Sequence, residues 1–497
     1  MKKIKKEKVK KGKKENILNV VTLSFLFLLP IFSTTYFHNN YTTLFEVIMI
    51  CLIFLATLLI FTDSRKNSKY IFLYYLLCLI YLFINYFRAD NFYSLVPGNF
   101  NCNVFEEFTT LLKLMMPITF LYSLYYQKIE YKKYLLVLKV WVVLICGSII
   151  ITNLFKISLS SYSERLITKN IFEWNINNYY QETASKGLFM YANQEAVIML
   201  LMLLVFVYDS IYKNKKSLIY LFLLVISMLM LGTRVSAVGG FLTLICAYLF
   251  YIIYCLYKKE KFNKSSLFAI IIIIFWGGLL PISPYANRSI ELSTIQETNE
   301  EDVINTEGVK KNDNIEDNLK ENIQDENFEI AYVYNNYNPN YLPKVFFEEY
   351  YPIEYDSKFW YDFVKNTSIY DMNYRLIEES IIQRVVKVND KTLDIFFGIS
   401  NVRIQNIVNI ERDFVLHYYS FGIIGSFILL FIYLLMLVYG IYTFFKYQTY
   451  YLFIMATVVV LFLFSAFLTG NIINSINAII PFTFIASGIF NSKKLEK

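Results

Sequence analysis

Twelve apolar runs of roughly 20 residues each dominate this chain, and few folds can use them. They cover 17–37, 41–62, 69–88, 107–126, 134–155, 187–208, 217–233, 235–257, 267–283, 414–438, 450–470 and 472–490. About 20 consecutive apolar residues are what a helix needs to cross a bilayer. In lipid no water satisfies backbone N–H and C=O groups, so such runs must close their hydrogen bonds internally, as helices. The expected fold is therefore an all-α polytopic membrane protein with about 12 transmembrane helices. A soluble globular fold is excluded: 56% of the 497 residues are apolar.

Lysine and arginine in short loops set the orientation. The first fourteen residues carry nine lysines and should be cytoplasmic. Alternating from there puts Arg65 to Lys69, Lys128 to Lys133, Lys213 to Lys216, Lys258 to Lys264, Lys446 and Lys493-Lys494 on the same inner side. The long segments 89–106, 156–186 and 284–413 fall outside. The chain thus divides into a basic tail (1–16), helices 1–9 (17–283), a large extracytoplasmic loop between helices 9 and 10 (284–413), helices 10–12 (414–490) and a short tail (491–497), both termini cytoplasmic. Within the loop, 291–328 holds twelve acids against three lysines and few aromatics, and is expected to be disordered. Beyond it, Leu376, Ile377, Ile381, Ile382, Val385 and Val386 fall on one face of a helix over 374–388, with Asp371 or Asn373 as its cap.

Charge is scarce near the membrane, so each charged residue there needs a reason. Arg234 lies in the turn Leu231-Gly232-Thr233-Arg234, between two apolar runs. It is either functional or an interfacial arginine closing a hairpin. Three other features share its outer side. Tyr191-Ala192-Asn193-Gln194-Glu195 opens the sixth helix, with Asn193 and Glu195 expected ~9–12 Å below the outer surface. Arg375 starts the loop helix, upstream of Phe397-Gly398-Ile399. Glu411-Arg412-Asp413 precedes Ser420-Phe421-Gly422-Ile423-Ile424-Gly425 at the tenth helix. Arg384 and Arg403 read as surface arginines of the loop, and Ser236 and Gly240 as a helix-packing pair. The chain has no CxxC motif or Cys/His cluster, and only two histidines, His38 and His417. Neither a disulfide framework nor a zinc site is expected.

This set, in this order, resembles the O-antigen ligase and O-antigen polymerase superfamily. The resemblance spans roughly 187–430. It rests on Tyr191-Ala192-Asn193, Gly232-Thr233-Arg234, Arg375 with Phe397-Gly398-Ile399, and Glu411-Arg412-Asp413 before the Gly-Ile-Ile-Gly segment. Where the family often has His-Asn, this chain has Glu411, similar to branches with Glu-x-Asp; His417 is six residues off that register. The resemblance implies a GT-C-like fold and a membrane glycosyltransferase that needs no cofactor or metal. Its partners would be a polyprenyl-diphosphate-linked oligosaccharide, a glycan acceptor, membrane lipid and other polysaccharide-assembly proteins, with no nucleic acid. It would work in surface-polysaccharide synthesis at a bacterial cytoplasmic membrane. Arg234 and Arg375 would bind the donor diphosphate and stabilise it as leaving group, with Glu411 or Asp413 as base and Asn193 and Glu195 contacting substrate. Competing readings are a transporter or flippase of lipid-linked glycan, and a surface protein that binds glycan without chemistry.

Overall fold

A computed structural model describes residues 2–33, 39–60, 65–89, 92–97, 103–127, 129–291, 325–339, 341–368 and 373–491. Most of the acidic stretch lies outside them, as do His38, Cys102 and Asp371. The described chain is overwhelmingly helical. It divides into two compact units: residues 1–71, 113–294 and 432–497, and residues 72–112 and 295–431.

Among the described residues, ten helices are long and apolar enough to cross a membrane, where the sequence suggests twelve runs. The two that fall short are 217–233 and 472–490. The first holds a helix of 14 residues, Leu218–Leu231. At ~1.5 Å per residue it is about 21 Å long, less than the ~30 Å hydrocarbon core. The second is helical only over Ile476–Phe490. At the N-terminus the helix Lys2–Ser33 begins in the lysine run itself, so the basic segment continues the first apolar helix.

In the first unit the helix Ala192–Tyr212 is central. Its best membrane-length window is 94% buried, against 22% for Asn40–Leu59. A helix apolar all round belongs inside a bundle, and this one packs on Leu218–Leu231, Gly240–Lys258, Tyr450–Thr469 and Ile476–Ala486. It starts at Ala192, not at 187 as its apolar run suggests. Residues Ser185–Gly187 are taken by an antiparallel pairing with Leu159–Ser160. Ser158 Oγ adds to that pairing by accepting from the Gly187 N–H at 2.8 Å. Asn193 and Glu195 therefore stand in the helix's first turn rather than two turns down. At the opposite end of Ala192–Tyr212, the buried Asp209 accepts from Tyr131 Oη at 3.0 Å and from Ser217 Oγ, inside a cluster of tyrosine rings.

The second unit has its own apolar core, built by Phe346, Phe347, Trp360, Ile377, Ile381 and Ile382 with their neighbours. Its helix Asp325–Asn336 begins inside the stretch expected to be disordered. The amphipathic helix expected over 374–388 is Tyr374–Asn389, capped by Asn373, whose side chain accepts from the Leu376 N–H at 3.0 Å. Ile377, Ile381, Ile382 and Val385 are buried as the pattern requires, and Leu376 and Val386 half-buried. Arg384 makes a two-pronged pair with the buried Asp356, at 2.6 and 3.0 Å. Arg403 is no surface residue. Only 5% exposed, it donates to Ile399 O at 3.1 Å and covers the Phe92 ring at 4.8 Å. A guanidinium that keeps a carbonyl and a ring face can leave water.

Candidate functional site

The six residues singled out from the sequence fall into two groups, one in each unit. In the first unit Gly232 ends the helix Leu218–Leu231 in the left-handed conformation (φ 64°) and turns the chain. A Cβ there would come within 2.8 Å of Pro284. Thr233 and Ser236 then bond reciprocally: Thr233 N–H donates to Ser236 Oγ at 3.1 Å, and Ser236 N–H to Thr233 Oγ1 at 3.0 Å. This is the logic of a capping box, which satisfies donors at a helix start with side chains. Both residues are buried, and Arg234 between them is exposed. The next five residues, Val235–Gly239, form a π-helical turn packed on Ala192–Tyr212. Such turns are rare and concentrate at functional sites. Gly240 closes it against Met228 and Trp276, where a Cβ would sit at 2.5 and 2.7 Å, so Gly240 serves packing, while Ser236 bonds to Thr233.

Asn193 accepts from Tyr162 Oη at 2.9 Å. Tyr162 in turn stacks under a guanidinium the sequence reading passed over. Arg288 lies 4.3 Å from the Tyr162 ring and 5.4 Å from that of Tyr180. It belongs to a short helix over 284–291 that the apolar pattern leaves in the loop. The available signal was Pro284, a favourable first helical residue. Glu195 is buried, at 1% exposure.

In the second unit the structure brings Arg375 and Glu411 together: Nε donates to Oε2 at 3.1 Å. One residue on, Arg412 pairs with Glu379. The segment Glu411-Arg412 is thus held on the face of Tyr374–Asn389 by two ion pairs of opposite sense. Glu378, buried on that face, accepts from the Glu411 N–H at 3.2 Å. Asp413 is fully buried at the first turn of Asp413–Tyr447, where an acid suits the helix dipole. His417 is buried too, its ring 5.4 Å from Phe421. Of the two carboxylates proposed as base, Glu411 is the accessible one.

Glu378 was missed because acids read as polar, yet it falls three and four residues before Ile381 and Ile382, on the buried face. Burial pushes its carboxyl up to about 7, with a smaller push from the charge of Glu411. The folded state therefore holds a proton that the unfolded chain gives up between about pH 4.5 and about pH 7. Stability from this group is present at low pH and lost as pH rises through that window. Glu378→Gln stays neutral and still accepts from Glu411 N–H. It should melt higher than wild type at about pH 8, by an amount on the order of 1–3 kcal/mol, and match it near pH 4. Parallel melting curves across the range would mean burial does not set this carboxyl.

The Phe397-Gly398-Ile399 and Ser420-Phe421-Gly422 segments meet backbone to backbone. Ile399 N–H donates to Tyr419 O at 2.9 Å and Ser400 N–H to Ser420 O at 3.1 Å. Tyr81 Oη donates to Phe397 O and Phe421 O at 2.8 and 2.9 Å. Arg88, paired with Asp394 at 2.5 Å, lies 5.1 Å from the Phe397 ring. These motif residues build the frame from which Glu411 to His417 is presented.

The chain matches the family model described as O-antigen ligase like membrane protein over residues 12–494. No curated protein and no solved structure matches it. A match over nearly the whole length leaves one assignment: this chain belongs to the O-antigen ligase-like family of membrane proteins, a family of membrane glycan ligases and polymerases.

Proposed function

We propose that this protein transfers a glycan from a polyprenyl-diphosphate donor to an acceptor hydroxyl, as a polymerase or ligase in bacterial surface-polysaccharide synthesis, on the outer side of the cytoplasmic membrane. The observation that carries the reading is Arg234, exposed on a turn that Gly232, Thr233 and Ser236 hold in place. In the reaction, the bond from the anomeric carbon to the diphosphate oxygen breaks and one to the acceptor oxygen forms. The acceptor's proton goes to a carboxylate, and the diphosphate leaves with the bonding pair. A fixed guanidinium stabilises that leaving charge with planar, permanently charged donors. We assign this role to Arg234 and Arg375, and no metal is needed for it. Glu411 suits the base better than Asp413, because it is accessible whereas Asp413 is fully buried. Asn193, fixed by Tyr162, is assigned to substrate.

Purified protein in lipid nanodiscs, given lipid-diphosphate oligosaccharide, should release polyprenyl diphosphate in step with glycan transferred. Lengthening with the donor alone identifies a polymerase; transfer only to a different lipid-anchored acceptor identifies a ligase. Movement of the donor across vesicles with no new glycosidic bond would establish a transporter instead.

A further inference from the structure

The outer segment 156–191 does more than link two helices. With the helix over 284–291 it encloses an open cleft of about 410 Å³ lined by Arg165, Thr168, Tyr179, Gln181, Glu182 and Glu291. That volume lies toward the lower end of the ~300–1,000 Å³ usual for ligand sites.

The walls are fixed. Glu291 Oε1 accepts from the Tyr180 N–H at 2.5 Å. The carbonyl of Glu182 accepts from the N–H groups of Thr168 and Lys169, each at 3.1 Å. The Glu182 carboxylate pairs with Lys169 at 2.8 Å. Arg288, stacked on Tyr162 and Tyr180, pins the segment to the 284–291 helix. Fixed walls of this kind are what a binding site requires.

The chemistry of the lining selects the ligand. The lining carries Arg165 against Glu182 and Glu291, with Lys169 pairing Glu182 from beside it, so the cleft is no anion trap. A phosphate would meet two carboxylates. What remains is the Gln181 amide and the Thr168 hydroxyl as donors and acceptors, with Leu166 and an exposed tyrosine, Tyr179 at 67% exposure, to cover an apolar ring face. Vicinal hydroxyls on a sugar match such groups. The segment that lines the cleft also reaches the turn of the proposed diphosphate anchor. The Tyr180 ring is 3.4 Å from where a Cβ on Gly232 would stand, two residues before Arg234.

We infer that this cleft is a sugar subsite, which receives a mono- or disaccharide portion of the lipid-linked donor beside the diphosphate. This inference rests on the transfer reading above for its donor. Thr168→Trp, which fills the cleft, and Tyr179→Ala both alter exposed side chains and leave the fold alone. Each should raise the KM for lipid-diphosphate oligosaccharide about tenfold, the size of one or two lost polar contacts. Binding of sugar-free polyprenyl diphosphate, read by thermal shift, should not change. Oligosaccharide released from the donor by mild acid should show saturation-transfer NMR signals with wild type and lose them with Thr168→Trp. An unchanged KM in both variants, or equal weakening of the sugar-free lipid, overturns the subsite. Should wild type transfer no glycan, the transfer reading falls, and the NMR experiment still decides the cleft. Signals lost in Thr168→Trp uphold it; signals absent in wild type or unaltered by the substitution overturn it.

Discussion

Arg234→Ala should cost ~10²–10³ in kcat/KM for glycan transfer, the usual loss when one fixed donor to a developing negative charge is removed. The protein should remain folded and inserted. Arg234 is exposed, while the residues that hold its turn are Gly232, Thr233 and Ser236, which the substitution leaves in place. Arg234→Lys retains the charge but loses the planar fork, so it should also be impaired, by less than alanine. Arg375→Ala should lower transfer as well, for two reasons. It removes a guanidinium, and it releases the Glu411 carboxylate from its 3.1 Å partner. Glu411→Gln should depress kcat more than donor binding, because it removes a proton acceptor and not a phosphate anchor. Wild-type transfer rates in Arg234→Ala and Arg375→Ala, measured with membrane-inserted protein, would refute the assignment of both arginines.

How much of this was legible in the chain depends on the range of the interaction. Apolar length is local, so the ten membrane-length helices among the described residues could be read directly from the sequence, while the runs at 217–233 and 472–490 hold shorter helices. Burial is not local: nothing in the runs at 41–62 and 187–208 says that the second is enclosed and the first leaves much of its surface open. The start of the helix Ala192–Tyr212 was misplaced because a strand pairing with Leu159–Ser160 competes for residues 185–187. That partner lies some 25 residues upstream, beyond any periodicity window.

The candidate site follows the same rule. Arg375 and Glu411 could each be picked out, but their ion pair joins positions 36 apart in sequence, and no spacing rule announces it. Glu378 and Arg288 were passed over for opposite reasons. Glu378 is an acid on an apolar face, which binary patterning discounts. Arg288 sits in a helix too short to show a period, and only its stacking on two tyrosines from a distant segment gives it meaning.

The motif glycines carry the second large effect. Gly398 (φ 73°, ψ 177°) and Gly422 (φ 62°, ψ −171°) both occupy a backbone region essentially closed to other residues. They also touch. A Cβ on Gly422 would stand 2.4 Å from the Phe396 carbonyl carbon and 2.5 Å from Gly398 N; one on Gly398 would stand 2.3 Å from Ser420 O. Both neighbours are backbone, which cannot rotate aside as a side chain can. Gly422 is also where the helix Asp413–Tyr447 breaks, so it sets the direction of the turn that carries Asp413 and His417. Gly422→Ala and Gly398→Ala should therefore each destabilise the unit by about 2–6 kcal/mol, the sum of a forbidden backbone conformation and overpacking. The measured signs would be a lower melting temperature, faster proteolysis within 325–431, and loss of transfer. Arg234→Ala should show only the last of these. That contrast separates a residue that does chemistry from one that holds the chemistry in place. Were Gly422→Ala to melt like wild type and lose only turnover, the two segments would not be packed as described, and the glycine would act on substrate directly.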